Sequence, residues 1–266
     1  MGGDKVRVEV GKPLSWIVFS VPDKLNAMSS DLLVEATNAL RRLEQEEGVW
    51  FVAFTGEGRA FSAGIELSEV ASAGSPEERE SVFARLAEFF DSLLSTRLVT
   101  IAAVNGIAAG GGAEMLWAVD LSVAVRNARI IWPEARWGLV APALSTLGPW
   151  MLGPGLAGRL ALEGGELSGE EAYRLGLVSL VVDSPGELRR AVEALVERVM
   201  ANSPEAVDTT ARLLKESKRS LLLSIGVKEL LRLARGEKLA RAAESFVKTR
   251  RPPDYRDEWL SGGTLS

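Results

Sequence analysis

Residues Val99 to Val119 read VTIAAVNGIAAGGGAEMLWAV. Val99 to Val104 is an unbroken run of strand length. Asn105-Gly106 follows it, then the triple glycine Gly110-Gly111-Gly112 directly before a helical run, Ala113 to Val119. A strand with no polar alternation is suited to burial on both faces, as in a parallel sheet covered by helices. The same layout occurs earlier in the chain. Val49 to Phe54 is a second apolar run, and Gly56-Glu57-Gly58-Arg59-Ala60-Phe61-Ser62-Ala63-Gly64-Ile65-Glu66 is a second glycine-rich loop. Glycine lets the backbone take φ > 0 and approach a ligand closely. The first N–H groups of a helix have no internal partner and sit at its positive end. Two such turns facing one another aim two N–H donors at one anionic oxygen. Each donor of such an oxyanion hole is typically worth about 3–4 kcal/mol in the transition state. Alternatively the glycines only permit tight turns, and one glycine loop by itself does not decide between these readings.

Working outward, Val6 to Val10 and Leu14 to Phe19 read as paired strands around the turn Gly11-Lys12-Pro13. Ser29 or Ser30 caps a helix to about Glu47, ended by Gly48. Ser75-Pro76-Glu77-Glu78 is a capping box opening a helix to about Ser95. Leu121 to Val125 and Arg129 to Trp132 are short strands. Ser168 with Glu171 forms another capping box, and Val178 to Val182 is a last strand. Beyond Pro185 three helices are predicted: Gly186 to Ala201, Pro204 to Ser217 and Arg219 to Lys248. The composition therefore divides into an α/β core, residues 1–185, and a helical region, residues 186–266, suited to covering a neighbour.

The 266 residues include no His and no Cys. Ser-His-Asp and Cys-His nucleophilic sites, disulfides, zinc fingers, Fe–S clusters and His-bound metals are thereby excluded. Only a carboxylate Mg²⁺ or Ca²⁺ site stays formally open. Proton transfer falls to Asp, Glu, Lys, Tyr, water or backbone. With 31 Lys+Arg against 36 Asp+Glu the net charge is −5, which argues against a general nucleic-acid binder. No apolar run approaches the ~18–20 residues of a membrane helix, and MGGDKVRVEV lacks the apolar segment of a signal peptide. A soluble, cytoplasmic protein is expected.

Two carboxylates stand out. Glu114 lies in the first turn of the helix after the second glycine loop, and Glu134 follows Pro133 at the end of an apolar stretch. Singly, either fits dipole compensation at a helix start. Together, at the ends of short strands and amid Trp117, Trp132 and Trp137, they can divide acid and base roles. Desolvation or mutual repulsion keeps one of such a pair protonated.

At these residues the chain resembles the crotonase (enoyl-CoA hydratase/isomerase) family. The likeness is carried by motifs in order: Leu25-Asn26-Ala27-Met28; Gly58 to Leu67; Ala103-Val104-Asn105-Gly106; Gly110 to Glu114 with Asp120; Pro133-Glu134; Gly138-Leu139; Ser168 to Ala172; and Gly176-Leu177-Val178. It spans roughly residues 5 to 255. Two departures are Glu66 where the family usually has Asp, and Val140-Ala141-Pro142-Ala143-Leu144-Ser145 where many members carry Pro-Gly-x-Gly-Gly. Similar Pro-Ala loops occur in some hydratases for methyl-branched or glutaconyl-type substrates.

The resemblance implies a spiral of ββα units with a helical C-terminal trimerisation region, often in a dimer of trimers. It implies a coenzyme A thioester as substrate and no separate cofactor or metal. The backbone N–H groups of Ile65 and Gly111 fall on the oxyanion-hole positions, and Glu114 and Glu134 on the two catalytic carboxylates of the hydratases, here assigned as base and acid. Ala27 and Ala63 match backbone positions at the adenine end of coenzyme A. Lys248 and Arg251, near Phe246, resemble a segment that reaches its phosphates, although a solvated helix end explains them equally. The stretch from Leu67 to Phe90, with Trp117, Trp137 and Val140, supplies the candidates for the acyl pocket. The expected activity is syn hydration of a 2-enoyl thioester. The rivals are Δ3-Δ2 isomerisation and a non-catalytic, RNA-binding relative.

Overall fold

A computed structural model describes residues 5–261. The chain winds through β1 (Val6–Glu9), β2 (Leu14–Phe19), α1 (Ser30–Gln45), β3 (Phe51–Gly56), β4 (Ala60–Ser62), α2 (Leu67–Ser72) and α3 (Pro76–Ser95). It continues through β5 (Val99–Val104), β6 (Ile107–Ala109), α4 (Gly111–Ala118), β7 (Leu121–Val125), β8 (Arg129–Ile131), α5 (Pro142–Met151) and α6 (Pro154–Glu163). Then come β9 (Glu166–Ser168), α7 (Gly169–Arg174), β10 (Leu180–Val182), α8 (Leu188–Met200), α9 (Pro204–Leu221), α10 (Lys228–Ala234), α11 (Glu237–Thr249) and α12 (Arg256–Leu260).

The six-stranded sheet runs β1-β2-β3-β5-β7-β10, parallel apart from the β1/β2 hairpin. A second sheet, β4-β6-β8-β9, lies beside it, with only the β8/β9 pair antiparallel. The first unit gives both β1 and β2 to the large sheet before α1, and the next three (β3-β4, β5-β6 and β7-β8) each give one strand to the large sheet and one to the small sheet before a helix. This is the expected ββα architecture. The apolar runs β3 and β5 are buried along almost their whole length, as unalternating strands should be.

The small sheet is where the sequence reading falls short. Ala60–Ser62 and Ile107–Ala109 read as loop, yet they pair with one another, β4 to β6 in parallel. Three-residue strands are too short to show alternation. Two asparagines fix the turn before them. The buried Asn26 accepts from the Val21 N–H (2.9 Å) and donates to the carbonyls of Glu57 (3.0 Å) and Ala60 (2.8 Å). Asn105 donates to the carbonyls of Gly58 (3.0 Å) and Ala60 (3.3 Å) and accepts from the Gly56 N–H. A buried loop must satisfy its backbone groups, and these side chains do so where no strand can.

Capping follows the sequence in part. Ser29 accepts from the Leu32 N–H, and Ser168 with Glu171 forms a reciprocal capping box. At α3 the box is only half made: Ser75 accepts from Glu78 N–H, but the Glu78 carboxylate takes the Gly74 N–H instead. The predicted single helix from Arg219 to Lys248 is broken. Helix α9 runs on to Leu221, a π-helical turn covers Leu222–Val227, and the chain breaks again at Arg235-Gly236 before α11. Gly226 explains the π turn: a Cβ there would stand 2.7 Å from the Pro142 carbonyl, so the two backbones touch. The C-terminal helices rest on this chain's own core. Lys215 of α9 is buried and donates to the carbonyls of Thr96 and Leu98 while pairing with Asp120 at 3.1 Å.

Replacing Asn26 with Ala should cost at least about 2 kcal/mol, because it strands buried N–H and C=O groups. Thermal unfolding monitored by circular dichroism tests this. An unchanged midpoint would show that Asn26 does not hold the loop.

Candidate active site

The two glycine turns meet. Gly64 has φ +81°, and a Cβ there would stand 2.6 Å from the Ala109 carbonyl and 2.9 Å from the Gly111 nitrogen. A Cβ on Gly112 would stand 2.6 Å from the Ser62 carbonyl. Only residues without side chains allow this approach. The Gly64 N–H is taken by the Ser62 hydroxyl (3.1 Å), and its carbonyl accepts from Met28 N–H (2.7 Å). The Gly110 N–H bonds to the Ile131 carbonyl (2.9 Å). The next amide on each turn, Ile65 and Gly111, finds no acceptor among the described residues. Gly111 is the first residue of α4, so its N–H also lies at the positive helix end.

Both residues line one cavity of about 500 Å³ of empty space, part of it open to solvent. Glu114 and Glu134 line the same cavity. Ala63, Leu67, Trp137 and Val140 do so as well. The structure thus brings together the two amides, the two carboxylates and the acyl-pocket candidates Leu67, Trp137 and Val140.

Trp117 is the exception and a correction. It is fully buried and packs against Trp132, with ring centroids 6.3 Å apart. Every residue of α4 is buried, so side chains beyond its first turn enter the core rather than the cavity. Ala27 lies in the turn flanking the site: Ala63 N–H bonds to the Leu25 carbonyl and Met28 N–H to Gly64. Lys248 and Arg251 are exposed and do not line the cavity. Lys248 pairs with Glu244 at 3.7 Å. Helix α11, which carries Lys248, reaches the site through Phe246, which meets Trp137 edge-on at 5.6 Å.

The carboxylates differ in their surroundings. Glu114 accepts from the backbone N–H of Ala143 (2.5 Å) and of Leu144 (3.2 Å), buried amides of the first turn of α5 that have no partner within the helix. Burial pushes its carboxyl well up, the Glu134 charge pushes it further, and the two amides oppose both. The Trp132 indole N–H, which completes no hydrogen bond, also favours the carboxylate. Burial pushes Glu134 up to about 8, and its Oε2 has no partner. Two such acids titrate as a unit. Two N–H donors and a helix N-terminus face Glu114 and favour its charged form, whereas Oε2 of Glu134 has no such donor.

Phe83 and Leu86 on α3, inside the predicted stretch Leu67 to Phe90, also line the cavity, and so does Leu230 on α10, which the sequence reading missed. The amides that hold Glu114 had left one trace: Pro142 opens α5 after Ala141, with no side-chain cap of its own. Among the described residues no group of three His, Cys, Asp or Glu could hold a metal. No described helix is long and apolar enough to cross a membrane.

A spiral of ββα units with such a site is the crotonase architecture. The enoyl-CoA hydratase/isomerase family profile matches residues 10–252. The chain belongs to that family. It is 34% identical over 203 residues to a short-chain-enoyl-CoA hydratase of Clostridium acetobutylicum, covering 72% of this chain and 73% of the relative. It is 30% identical over 210 residues to a crotonyl-CoA hydratase of Syntrophomonas wolfei, covering 78% and 80%. Among solved structures, an enoyl-CoA hydratase from Bacillus halodurans superposes with a TM-score of 0.80 at 26% identity, covering 91% of this chain and 99% of that one.

A buried carboxyl whose pKa is raised binds its proton more tightly in the folded state. Its contribution to stability is therefore fully present below the unfolded value of 4.5 and is lost as pH rises through about 8. Glu134→Gln should accordingly flatten the fall in melting temperature between roughly pH 5 and 9. Parallel pH profiles for variant and parent would show that Glu134 is not held protonated.

Proposed function

We propose that this protein is an enoyl-CoA hydratase that adds water reversibly to a 2-enoyl thioester. One observation carries the reading: two partnerless turn amides and two buried carboxylates share a single cavity. The relatives' names and the family match support it.

In this mechanism the thioester oxygen lies between the N–H groups of Ile65 and Gly111. Water attacks Cβ, and charge moves onto that oxygen as an enolate. Fixed donors stabilise this charge more than the neutral carbonyl, which is the condition for catalysis. Glu114 takes a proton from the attacking water as its oxygen bonds to Cβ. The enolate collapses, and Glu134 gives its proton to Cα on the same face. The pair ends with Glu114 protonated and Glu134 ionised, and a proton returning from one to the other restores the start. No cofactor is needed beyond the coenzyme A carried by the substrate.

The same proposal places Ala27 and Ala63 along the coenzyme A chain and Lys248 and Arg251 at its phosphates. It includes assembly as a homotrimer or dimer of trimers. Trp150 and Leu162, on α5 and α6, are 83% and 82% exposed in the single chain, as apolar residues awaiting a second copy would be. A cytoplasmic place in fatty acid β-oxidation completes it, with neither nucleic acid nor membrane as partner.

Glu114→Gln and Glu134→Gln should each lower kcat for crotonyl-CoA by at least about two orders of magnitude. The assay follows loss of the enoyl thioester absorbance with 3-hydroxyacyl-CoA as product. Near-parental turnover in either folded variant would remove that residue from the mechanism. Conversion of a 3-enoyl thioester without any hydroxyacyl product would instead favour the isomerase.

A further inference from the structure

The acyl chain must run from the paired amides into the buried end of the cavity. The half-exposed lining residues, among them Leu67, Trp137 and Val140, mark the mouth through which the thioester arm enters. The buried end is closed by Phe83 and Leu86 of α3 and Leu230 of α10, exposed by only 1%, 3% and 3%. This wall begins beside the amides: the Leu86 Cδ1 and Met28 Sδ lie 3.3 and 3.2 Å from where a Cβ on Gly111 would stand. Phe83 and Leu86 lie on the apolar face of a twenty-residue helix and Leu230 on a helix packed against it. A close-packed wall of this kind does not yield a tunnel without cost.

Charge is the second restriction. Among the described residues, Glu114 and Glu134 are the only ionisable side chains lining the cavity, and no Lys or Arg does. A carboxylate at the end of the acyl chain would be buried without a cation and beside an ionised acid. Burying an unpaired charge is strongly unfavourable.

We infer that the acyl pocket selects short, uncharged 2-enoyl chains of the crotonyl and hexenoyl kind. It excludes both long chains and chains ending in a carboxylate. The inference rests on the hydratase reading for its reaction and on Phe83, Leu86 and Leu230 for its selectivity. It decides against a glutaconyl-type substrate, which the Pro-Ala loop in the sequence had left open.

The test compares crotonyl-, 2-hexenoyl-, 2-decenoyl- and glutaconyl-CoA on the full-length protein. The short neutral thioesters should lead in kcat/KM, decenoyl-CoA should fall at least about tenfold below them, and glutaconyl-CoA at least about a hundredfold. Leu86→Val and Phe83→Leu should each move the decenoyl-to-crotonyl ratio upward by about tenfold. Decenoyl-CoA turned over as well as crotonyl-CoA, or glutaconyl-CoA within about tenfold of it, would overturn the inference. Calorimetric binding of butyryl-, decanoyl- and glutaryl-CoA tests the pocket independently of turnover. Absence of hydration with a binding preference for butyryl-CoA would reject the reaction and keep the pocket. Equal binding of all three would reject the pocket itself.

Discussion

The site depends on the near-contact of two glycine turns. Gly64 lies against Ala109 and Gly111, and Gly112 against Ser62, at separations that leave no room for a Cβ. The parallel pairing of β4 with β6 draws the turns together, and Asn26 and Asn105 satisfy the backbone groups that the short strands leave over. The amides of Ile65 and Gly111 are therefore fixed by the sheet before any ligand arrives. Donors placed in advance need no reorganisation when charge develops, which is the source of most electrostatic rate enhancement.

Proton handling follows from a compositional constraint. Without His, and with glutamates as the ionisable side chains that line the cavity among the described residues, a proton donor there near neutral pH is made from a carboxyl, and burial is the means. The chain buries both glutamates but treats them differently. Glu114 takes two amides at the start of α5, whereas one oxygen of Glu134 takes nothing. An unpartnered buried oxygen destabilises the folded state and is tolerated where function depends on it. In the proposed mechanism this asymmetry is what separates two identical residue types into a base and an acid.

Legibility in the sequence was uneven. The long apolar strands, the glycine turns and both glutamates were visible because each leaves a local pattern: an unbroken run, a cluster, a carboxylate after a strand. Strands β4, β6 and β9 were not, since each is three residues long beside glycines that read as turn, and their pairing is set by partners far along the chain. Trp117 was misplaced because proximity to Glu114 in sequence says nothing about a helix buried on every side. The break at Arg235-Gly236 and the π turn at Gly226 interrupt a stretch whose amphipathic pattern continues through both. Leu230 carried no signal, because its place in the cavity depends on how the last third of the chain folds back.

That folding back ties the C-terminal region to the chemistry. Gly226, in the π turn, lies against the carbonyl of Pro142, the first residue of α5. The next two residues, Ala143 and Leu144, present the amides that hold Glu114. From the same segment α10 contributes Leu230 to the cavity, and α11 sets Phe246 against Trp137. A larger residue at 226 would push α5 outward and loosen the carboxylate it holds. The C-terminal helices thus close one wall of the cavity and brace Glu114 through backbone contact.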